Sequence, residues 1–506
     1  MLAQVHSFVL QGIDALGCEV EVDVAEEGLP KTTIVGLPDA AVKESIERVR
    51  SAIVNSGFPF PFARLLVNLA PADTPKSGPV YDLPIAVGLL LAGQVITTQR
   101  HRGLMFAGEL ALDGRIRPVS GVINMALLAR RLKLDGLVVP LANADEAAAV
   151  DGLAVYPADT LASVVGFLNG VYEIEPHPET DFATALDAAA PPVDFADIRG
   201  QDAAKRAALL AAAGMHNFLM IGPAGTGKTM MAKALPGVLP PLSREEALEV
   251  TRIYSAVGQV PVGQSLVTQR PVRSPHHTAS AVALIGGGTV PRPGEVSLAH
   301  HGVLFLDEVP EFPRTVLETL RQPLEDGGVT ISRAHSSLRF PARFMLVAAM
   351  NPTPKGNSAT DEASQRQMDR YLARLSGPLI DRIDIHVEVP PVPYRQLAGP
   401  AARSGATSAE LREKVTAARR VQSERNGGPL KPNRALSGRE LDKLAALDDA
   451  GRGLLQQAMQ ELGLSARAYD KVRRVARTIA DLDGSDRVQA HHLAEAIGYR
   501  LLDRAR

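Results

Sequence analysis

Residues 216–235 read HNFLMIGPAGTGKTMMAKAL, and the fold follows from how this stretch is built. His216–Ile221 is a short strand-like run. Gly222-Pro223-Ala224-Gly225-Thr226-Gly227-Lys228-Thr229 is a full match to G-x-x-x-x-G-K-[ST], and Met230–Leu235 suits a helix. Strand, glycine-rich turn and helix in that order predict a loop whose backbone N–H groups converge on phosphate oxygens. Glycine permits the tight turn, and the helix that starts there adds its positive dipole end. Lys228 is expected to reach the β- and γ-phosphates, and the Thr229 hydroxyl to ligate Mg²⁺. A plain glycine-rich turn with an exposed lysine is the blander reading. The flanking strand and helix weigh against it.

Downstream, Gly302–Glu308 reads GVLFLDE. Its apolar run suits a strand buried on both faces. The carboxyl end of such a strand, where parallel α/β sheets place ligands, delivers Asp307 and Glu308. Asp307 is expected to hold the Mg²⁺ shell, and Glu308 to orient or deprotonate an attacking water. A third strand, Phe344–Ala349, leads to Asn351. Its amide could hold that water, or Asn351-Pro352 could simply start a turn; the residues alone favour neither. The combination points to hydrolysis of Mg²⁺-bound ATP on an α/β core with a parallel sheet.

The 506 residues suggest two to four domains. The net charge of −2 offers no global attraction to nucleic acid, so any DNA contact must be local. From Ala401 to Arg506 there are 20 Lys/Arg and 14 Asp/Glu, a bias for which charge alone favours a solvated helical surface over a DNA site. Cys18 is the single cysteine, which excludes an internal disulfide and a cysteine-rich zinc site. No apolar run approaches the ~20 residues of a membrane helix. The opening Met1–Gly12 shows no secretory pattern, and the cytoplasm is the expected compartment.

Residues 1–170 read as a mixed α/β domain, with strands at Val5–Leu10, Cys18–Val24, Thr32–Val35 and Arg64–Leu69 and a helix at Asp39–Ser56. Residues 171–194 read as a linker, 195–395 as the ATPase core, and 396–506 as helical. Thr330–Arg333 and Ser337–Phe340 could pair as a hairpin around Ala334–Ser336.

Several long stretches resemble the YifB/ComM branch of the magnesium-chelatase-like AAA+ ATPases, which includes a competence-associated DNA helicase. They are IVGLPDAAVKESIERVR at Ile34–Arg50, VNLAPAD at Val67–Asp73, Arg273–Glu311 with its SPHHTASAVALIGGG, RQPLEDGGVTISR at Arg321–Arg333, SGPLIDRIDI at Ser376–Ile385, and Gly463–Leu482. The resemblance covers nearly the whole chain. It implies a Lon-protease-like, S5-type α+β N-terminal domain, an AAA+ P-loop core and a helical C-terminal lid. It further implies that Asn351 is a first sensor and that Arg382 is an arginine finger acting on a neighbouring subunit. Arg467 matches the second sensor, with Arg474 in reserve. A finger acting in trans implies a homo-oligomeric ring, by resemblance a hexamer.

Lon-type proteolysis needs a serine activated by a lysine. Val80 stands where that serine would follow Gly78-Pro79, and no lysine occupies the matching place in Arg117–Asn124, so the N-terminal domain is expected not to be a protease. In related ring motors the insertions corresponding to Arg273–Ser297 and to the hairpin line the pore. Arg333, His335 and Arg339 are therefore candidate contacts to a DNA backbone, against the alternative of a polar hairpin at a subunit interface. The pairs His276-His277 and His300-His301 lack a surrounding ligand cluster, and metal binding there is not expected. The expected function is an ATP-driven DNA helicase or branch-migration translocase in recombination or DNA uptake. The runner-up is a protein-remodelling ATPase such as a magnesium-chelatase motor subunit.

Overall fold

The computed structural model describes residues 2–25, 30–183, 193–261, 263–333, 336–352, 371, 374–394, 405–428, 431–500 and 502. Packing divides the chain into two compact units, Met1–Ala188 with Ser243–Thr268, and Ala189–Leu242 with Gln269–Arg506. The units do not follow chain order. A stretch just beyond the phosphate loop packs with the N-terminal residues, and the C-terminal helices pack with the phosphate-loop sheet.

The first unit is built on seven strands: β1 (Leu2–Gln11), β2 (Asp14–Ala25), β3 (Lys31–Val35), β4 (Arg64–Ala70), β5 (Leu104–Phe106), β6 (Gly136–Pro140) and β7 (Ala154–Ala158). Their order is β3-β4-β2-β1-β5-β6-β7. β2 lies antiparallel to both β1 and β4, and the other neighbours are parallel. In β2 the alternation is clean: Cys18, Val20 and Val22 are buried between Glu19, Glu21 and Asp23. β1 and β2 outrun the strands expected from side-chain type, because the hairpin pairs them from Leu2↔Asp23 to Gln11↔Asp14.

Asp39 caps the Ala40–Asn55 helix by accepting the Val42 N–H at 2.8 Å, and Val42, Ile46, Val49 and Ile53 form its buried stripe. The Asp82–Ala92 helix is buried on every side. Its one charge, Asp82, accepts from Arg48 Nε at 2.9 Å and Nη2 at 3.1 Å. The Arg244–Ala256 helix joins this unit through polar contacts. Arg252 Nη2 donates to Asp14 at 2.8 Å, Asn124 Nδ2 donates to the Arg252 carbonyl at 3.1 Å, and the Ser255 hydroxyl bonds the buried Glu146. Burial pushes the Glu146 carboxyl up, opposed by its bonds from Ser255, the Ile123 N–H and Asn143.

The second unit carries β8 (Phe218–Ile221), β9 (Val272–Arg273), β10 (Val303–Leu306), β11 (Gly328–Arg333), β12 (Ser336–Pro341), β13 (Met345–Met350) and β14 (Ile385–Glu388). Five of them form a wholly parallel sheet in the order β9-β10-β13-β8-β14. β10 and β13 are buried at every position, as the apolar runs require. β8 sits between β13 and β14, whereas the next strand in sequence, β9, lies at the far edge. That reversal opens a crevice at the carboxyl end of β8. β11 and β12 form the expected antiparallel hairpin, from Gly328↔Pro341 to Arg333↔Ser336.

The helices Ser408–Asn426, Asp449–Leu462, Ala466–Leu482 and Ala490–Gly498 share one apolar core with this sheet. In the Ala466–Leu482 helix, Lys471, Arg473 and Arg477 are buried beside the apolar stripe, so its basic residues do not share one solvated face. Arg473 and Arg477 find acceptors inside the protein. Arg473 donates to Asp442 at 2.9 Å and to the Leu441 carbonyl at 3.0 Å; Arg477 reaches Asp481 at 3.0 Å and the Asp486 carbonyl at 2.8 Å. No helix among the described residues is long and apolar enough to cross a membrane.

Asp481 is the anionic centre of this region. Its fully buried side chain accepts from Arg425 at 2.5 and 2.9 Å, from Asn433 at 2.7 Å and from Arg477 at 3.0 Å. Asp481→Ala leaves Arg477 buried without its counter-charge and is expected to cost about 3–5 kcal/mol. Urea unfolding measures this directly; an unshifted midpoint would contradict it.

Candidate active site

The phosphate loop leaves β8 at Ile221 and is held at both sides. The Gly222 N–H donates to the Met350 carbonyl at 3.1 Å, tying the loop to the end of β13. A Cβ at Gly222 would stand 2.1 Å from the Val389 carbonyl oxygen, so only glycine fits. Gly225 and Gly227 take φ of +78° and +92°, the left-handed region that glycine enters freely. Thr226 closes the loop by donating from its hydroxyl to the Pro223 carbonyl at 3.0 Å.

Lys228 begins the Lys228–Ala234 helix and turns its ammonium back into the loop. Nζ donates to the carbonyls of Gly222 at 2.6 Å and Pro223 at 2.7 Å, and to Asn351 Oδ1 at 3.2 Å. Burial lowers the lysine's pKa, and the nearby Asp307 and Glu308 carboxylates act against that shift. The next residue, Thr229, donates from Oγ1 to Asp307 Oδ2 at 2.9 Å. The loop, the acidic tip of β10 and the amide beyond β13 thus converge at one end of the sheet. The register explains it: Ile221 pairs Met350, and Leu306 pairs Ala348.

Asp307 and Glu308 play visibly different parts. Asp307 faces Thr229 and also accepts the Glu308 N–H at 2.9 Å. A hydroxyl and a carboxylate side by side are the hard oxygen donors that Mg²⁺ takes. Glu308 sits at φ +48°, ψ +47°, a left-handed conformation that costs a non-glycine residue of order 1 kcal/mol. Its carboxylate lies 3.9 Å from His277 Nδ1.

Arg382 lies in the turn after the Gly377–Ile380 helix, and its guanidinium is engaged within its own unit. Nη1 donates to the Pro378 carbonyl at 2.5 Å, and Nη2 pairs with Glu325. Arg467 is largely exposed and reaches Asp381 Oδ2 at 3.3 Å, next door to Arg382. The reserve residue, Arg474, donates to the Leu436 carbonyl at 2.7 Å. On the hairpin, Arg339 is exposed and its Nη2 donates to the Asp326 carbonyl at 3.3 Å. Arg333 ends β11; its side chain and His335 lie outside the described residues.

One residue that sequence reading passed over, Gln201, borders the loop. Gln201 holds φ +61° and bridges the loop to the end of the sheet, donating from Nε2 to the Pro390 carbonyl at 2.6 Å and the Thr226 carbonyl at 3.2 Å. Nothing in an ordinary glutamine before a helix signals that role. His277 stacks on His276 with ring centroids 4.0 Å apart, and among the described residues this pair belongs to no metal-ligating cluster. His300 is buried and accepts the Arg343 N–H at 2.9 Å.

Three family models match the chain: "Magnesium chelatase, subunit ChlI" over residues 194–397, "Subunit ChlI of Mg-chelatase" over 20–143, and "Magnesium chelatase, subunit ChlI C-terminal" over 405–500. The chain is 47% identical to the competence protein ComM of Haemophilus influenzae, covering 99% of this chain and 98% of that protein. It is 44% identical to the uncharacterized protein YifB of Escherichia coli K12, again over 99% and 98%. Similarity to the magnesium-chelatase 38 kDa subunit of Cereibacter sphaeroides is 29% identity over 177 residues, 32% of this chain and 53% of that subunit.

The Gln201 bridge supplies two hydrogen bonds to the loop's surroundings. Gln201→Ala is expected to weaken ATP binding about tenfold, from roughly 1 kcal/mol per bond with partial relaxation. Titration with a fluorescent ATP analogue reads this, and an unchanged Kd would remove Gln201 from the site.

Proposed function

Because the chain belongs to the YifB/ComM family of magnesium-chelatase-like AAA+ proteins, we propose that it is an ATP-hydrolysing ring motor that moves on DNA. The observation that carries this reading is the meeting of Lys228, Thr229, Asp307 and Asn351 at the carboxyl ends of three parallel strands.

In this reading the loop amides and Lys228 hold the triphosphate, the ammonium exchanging its own loop carbonyls for phosphate oxygens. Thr229 and Asp307 hold Mg²⁺, which supplies charge neutralisation to the transferring phosphoryl group. Glu308 orients the attacking water and accepts its proton, and Asn351 fixes the water's position. Arg382 completes the site of the adjacent subunit, which requires a homo-oligomeric ring, taken as a hexamer. Arg467 senses the nucleotide from the helical C-terminal region, residues 396–506, acting as a lid. Residues 1–170 act as a Lon-like, non-proteolytic module followed by the 171–194 linker and the 195–395 core, of which Ser243–Thr268 pack with the first unit.

DNA as the substrate rests on two supports. The Haemophilus relative is named a competence protein; the β11–β12 hairpin carries the exposed Arg339, and Arg333 and His335 next to it in sequence are the further candidates for sequence-indifferent backbone contact. The activity that fits both is branch migration or unwinding during recombination or natural transformation, in the cytoplasm.

The decisive experiment is ATP-dependent migration of a four-way DNA junction by the purified protein. ATP hydrolysis that ignores every DNA structure would instead favour remodelling of a protein partner. Lys228→Ala is expected to abolish turnover, and Arg382→Ala to stop hydrolysis by at least about a hundredfold while ATP still binds. Arg333→Ala combined with Arg339→Ala is expected to weaken DNA binding and flatten its salt dependence with basal ATPase retained; unaltered DNA affinity would remove the hairpin from the interface.

A further inference from the structure

The side chain of Arg382 is only 11% exposed and its Nε is buried without a partner, while Nη2 pairs with Glu325 and Nη1 with the Pro378 carbonyl. A residue that must reach a neighbouring subunit's nucleotide is therefore tied down at home. The backbone beneath it cannot easily release it. The carbonyls of residues 381 to 384 all accept from side chains. Lys471 Nζ bonds those of Asp381 and Ile383, the latter at 3.0 Å, and Asn217 Nδ2 bonds that of Arg382 at 2.6 Å. Arg500 Nη1 bonds Ile383 at 2.7 Å and Asp384 at 3.3 Å. Lys471 and Arg500 are themselves buried. Four consecutive carbonyls fixed by rigid, buried donors leave the guanidinium's own partners as the adjustable part.

Glu325 is the adjustable partner. Its side chain is 58% exposed, and it lies on the Arg321–Asp326 helix, whose C-cap Gly327 leads directly into β11 of the hairpin. The hairpin grips that junction from its other strand. Arg339 Nη2 donates to the Asp326 carbonyl, and the Ala342 N–H donates to the Gly327 carbonyl at 2.9 Å. A polyanion that draws Arg339 away from Asp326 would loosen the turn that presents Glu325.

We propose that Glu325 is a positioning residue that parks Arg382 in its own subunit and yields it to the neighbouring triphosphate when the hairpin engages a polyanion. This rests on the trans-acting role of Arg382 given above. It links hairpin occupancy in one subunit to hydrolysis in the next through a single ion pair.

The test uses the full chain with the isosteric Glu325→Gln, assaying ATPase with and without a single-stranded oligodeoxynucleotide. Expected is a two- to fivefold rise, roughly the worth of one partly exposed ion pair, in DNA-free kcat with KM for ATP unchanged. The factor by which the oligonucleotide stimulates should shrink correspondingly. Glu325→Asp should restore the parent's DNA-free rate, and the gain should vanish when Arg382→Ala is added. An unaltered DNA-free kcat overturns the proposal. So does a gain that survives Arg382→Ala, or loss of turnover in a variant whose circular dichroism and thermal unfolding match the parent. A parent enzyme indifferent to the oligonucleotide would sink the DNA reading, and the DNA-free comparison would still decide the role of Glu325.

Discussion

The hydrogen bond from the Thr229 hydroxyl to the Asp307 carboxylate is the point on which the second unit is organised. It joins residues 78 positions apart that neither local propensity nor chain order brings together. What does so is the parallel pairing of β8 and β10 on either side of β13. Parallel strands end in step, so polar residues placed just after each apolar run arrive at one edge. Lys228 adds the second junction, reaching Asn351 across β13's end. Charge, hydroxyl and amide are then preset around a common space, and little reorganisation is left for the moment of reaction.

Behind that edge lies a buried polar system that connects the sheet to the C-terminal helices. Asn217, at the start of β8, accepts the Leu346 N–H at 3.0 Å and is bonded to Asp384 through backbone and side chain. Burial works against the charge on Asp384, but His216, Lys471 and Arg434 around it hold the carboxyl well below the usual range. His216, lowered by burial, meets Thr478 at 2.8 Å, and Asn433 continues from Thr478 to Asp481. Such a system adds little net stability over apolar packing, yet a half-satisfied version would be costly.

The phosphate loop and the acidic tip were legible in the sequence because their residue types answer a backbone or charge requirement at fixed spacing. Strands within β1 and β2 were legible from their β-branched residues, the β11–β12 hairpin from two short runs close in sequence, and the Ala40–Asn55 helix from its stripe. Three features were not. The Arg244–Ala256 helix joins the first unit through Asn124, Asp14 and Glu146, partners more than a hundred residues away that leave no local pattern. Gln201 acts through an uncommon backbone conformation and two carbonyls, and a carbonyl has no letter in the sequence. The burial of cations on the Ala466–Leu482 helix left no sign in the sequence, because basic residues are usually exposed. Here Lys471 and Arg473 find carbonyls, and Arg477 finds both carbonyls and Asp481.

That last feature bears on how the motor would be timed. Arg467 and Lys471 are four residues apart on one helix, hence on one face. The first touches the Asp381 side chain, and the second holds the carbonyls on both sides of Arg382. Arg474, one turn further, is committed to Leu436 and cannot exchange partners without loosening the helix's own packing. Only Arg467 is both exposed and lightly held, by a single bond to a partly exposed carboxylate. In the proposed motor, a nucleotide that drew Arg467 away from Asp381 would pull on the same helix that fixes the Arg382 backbone. Sensing in one subunit and the finger offered to the next are then two ends of one rigid element, and no longer path through the protein is needed to couple them.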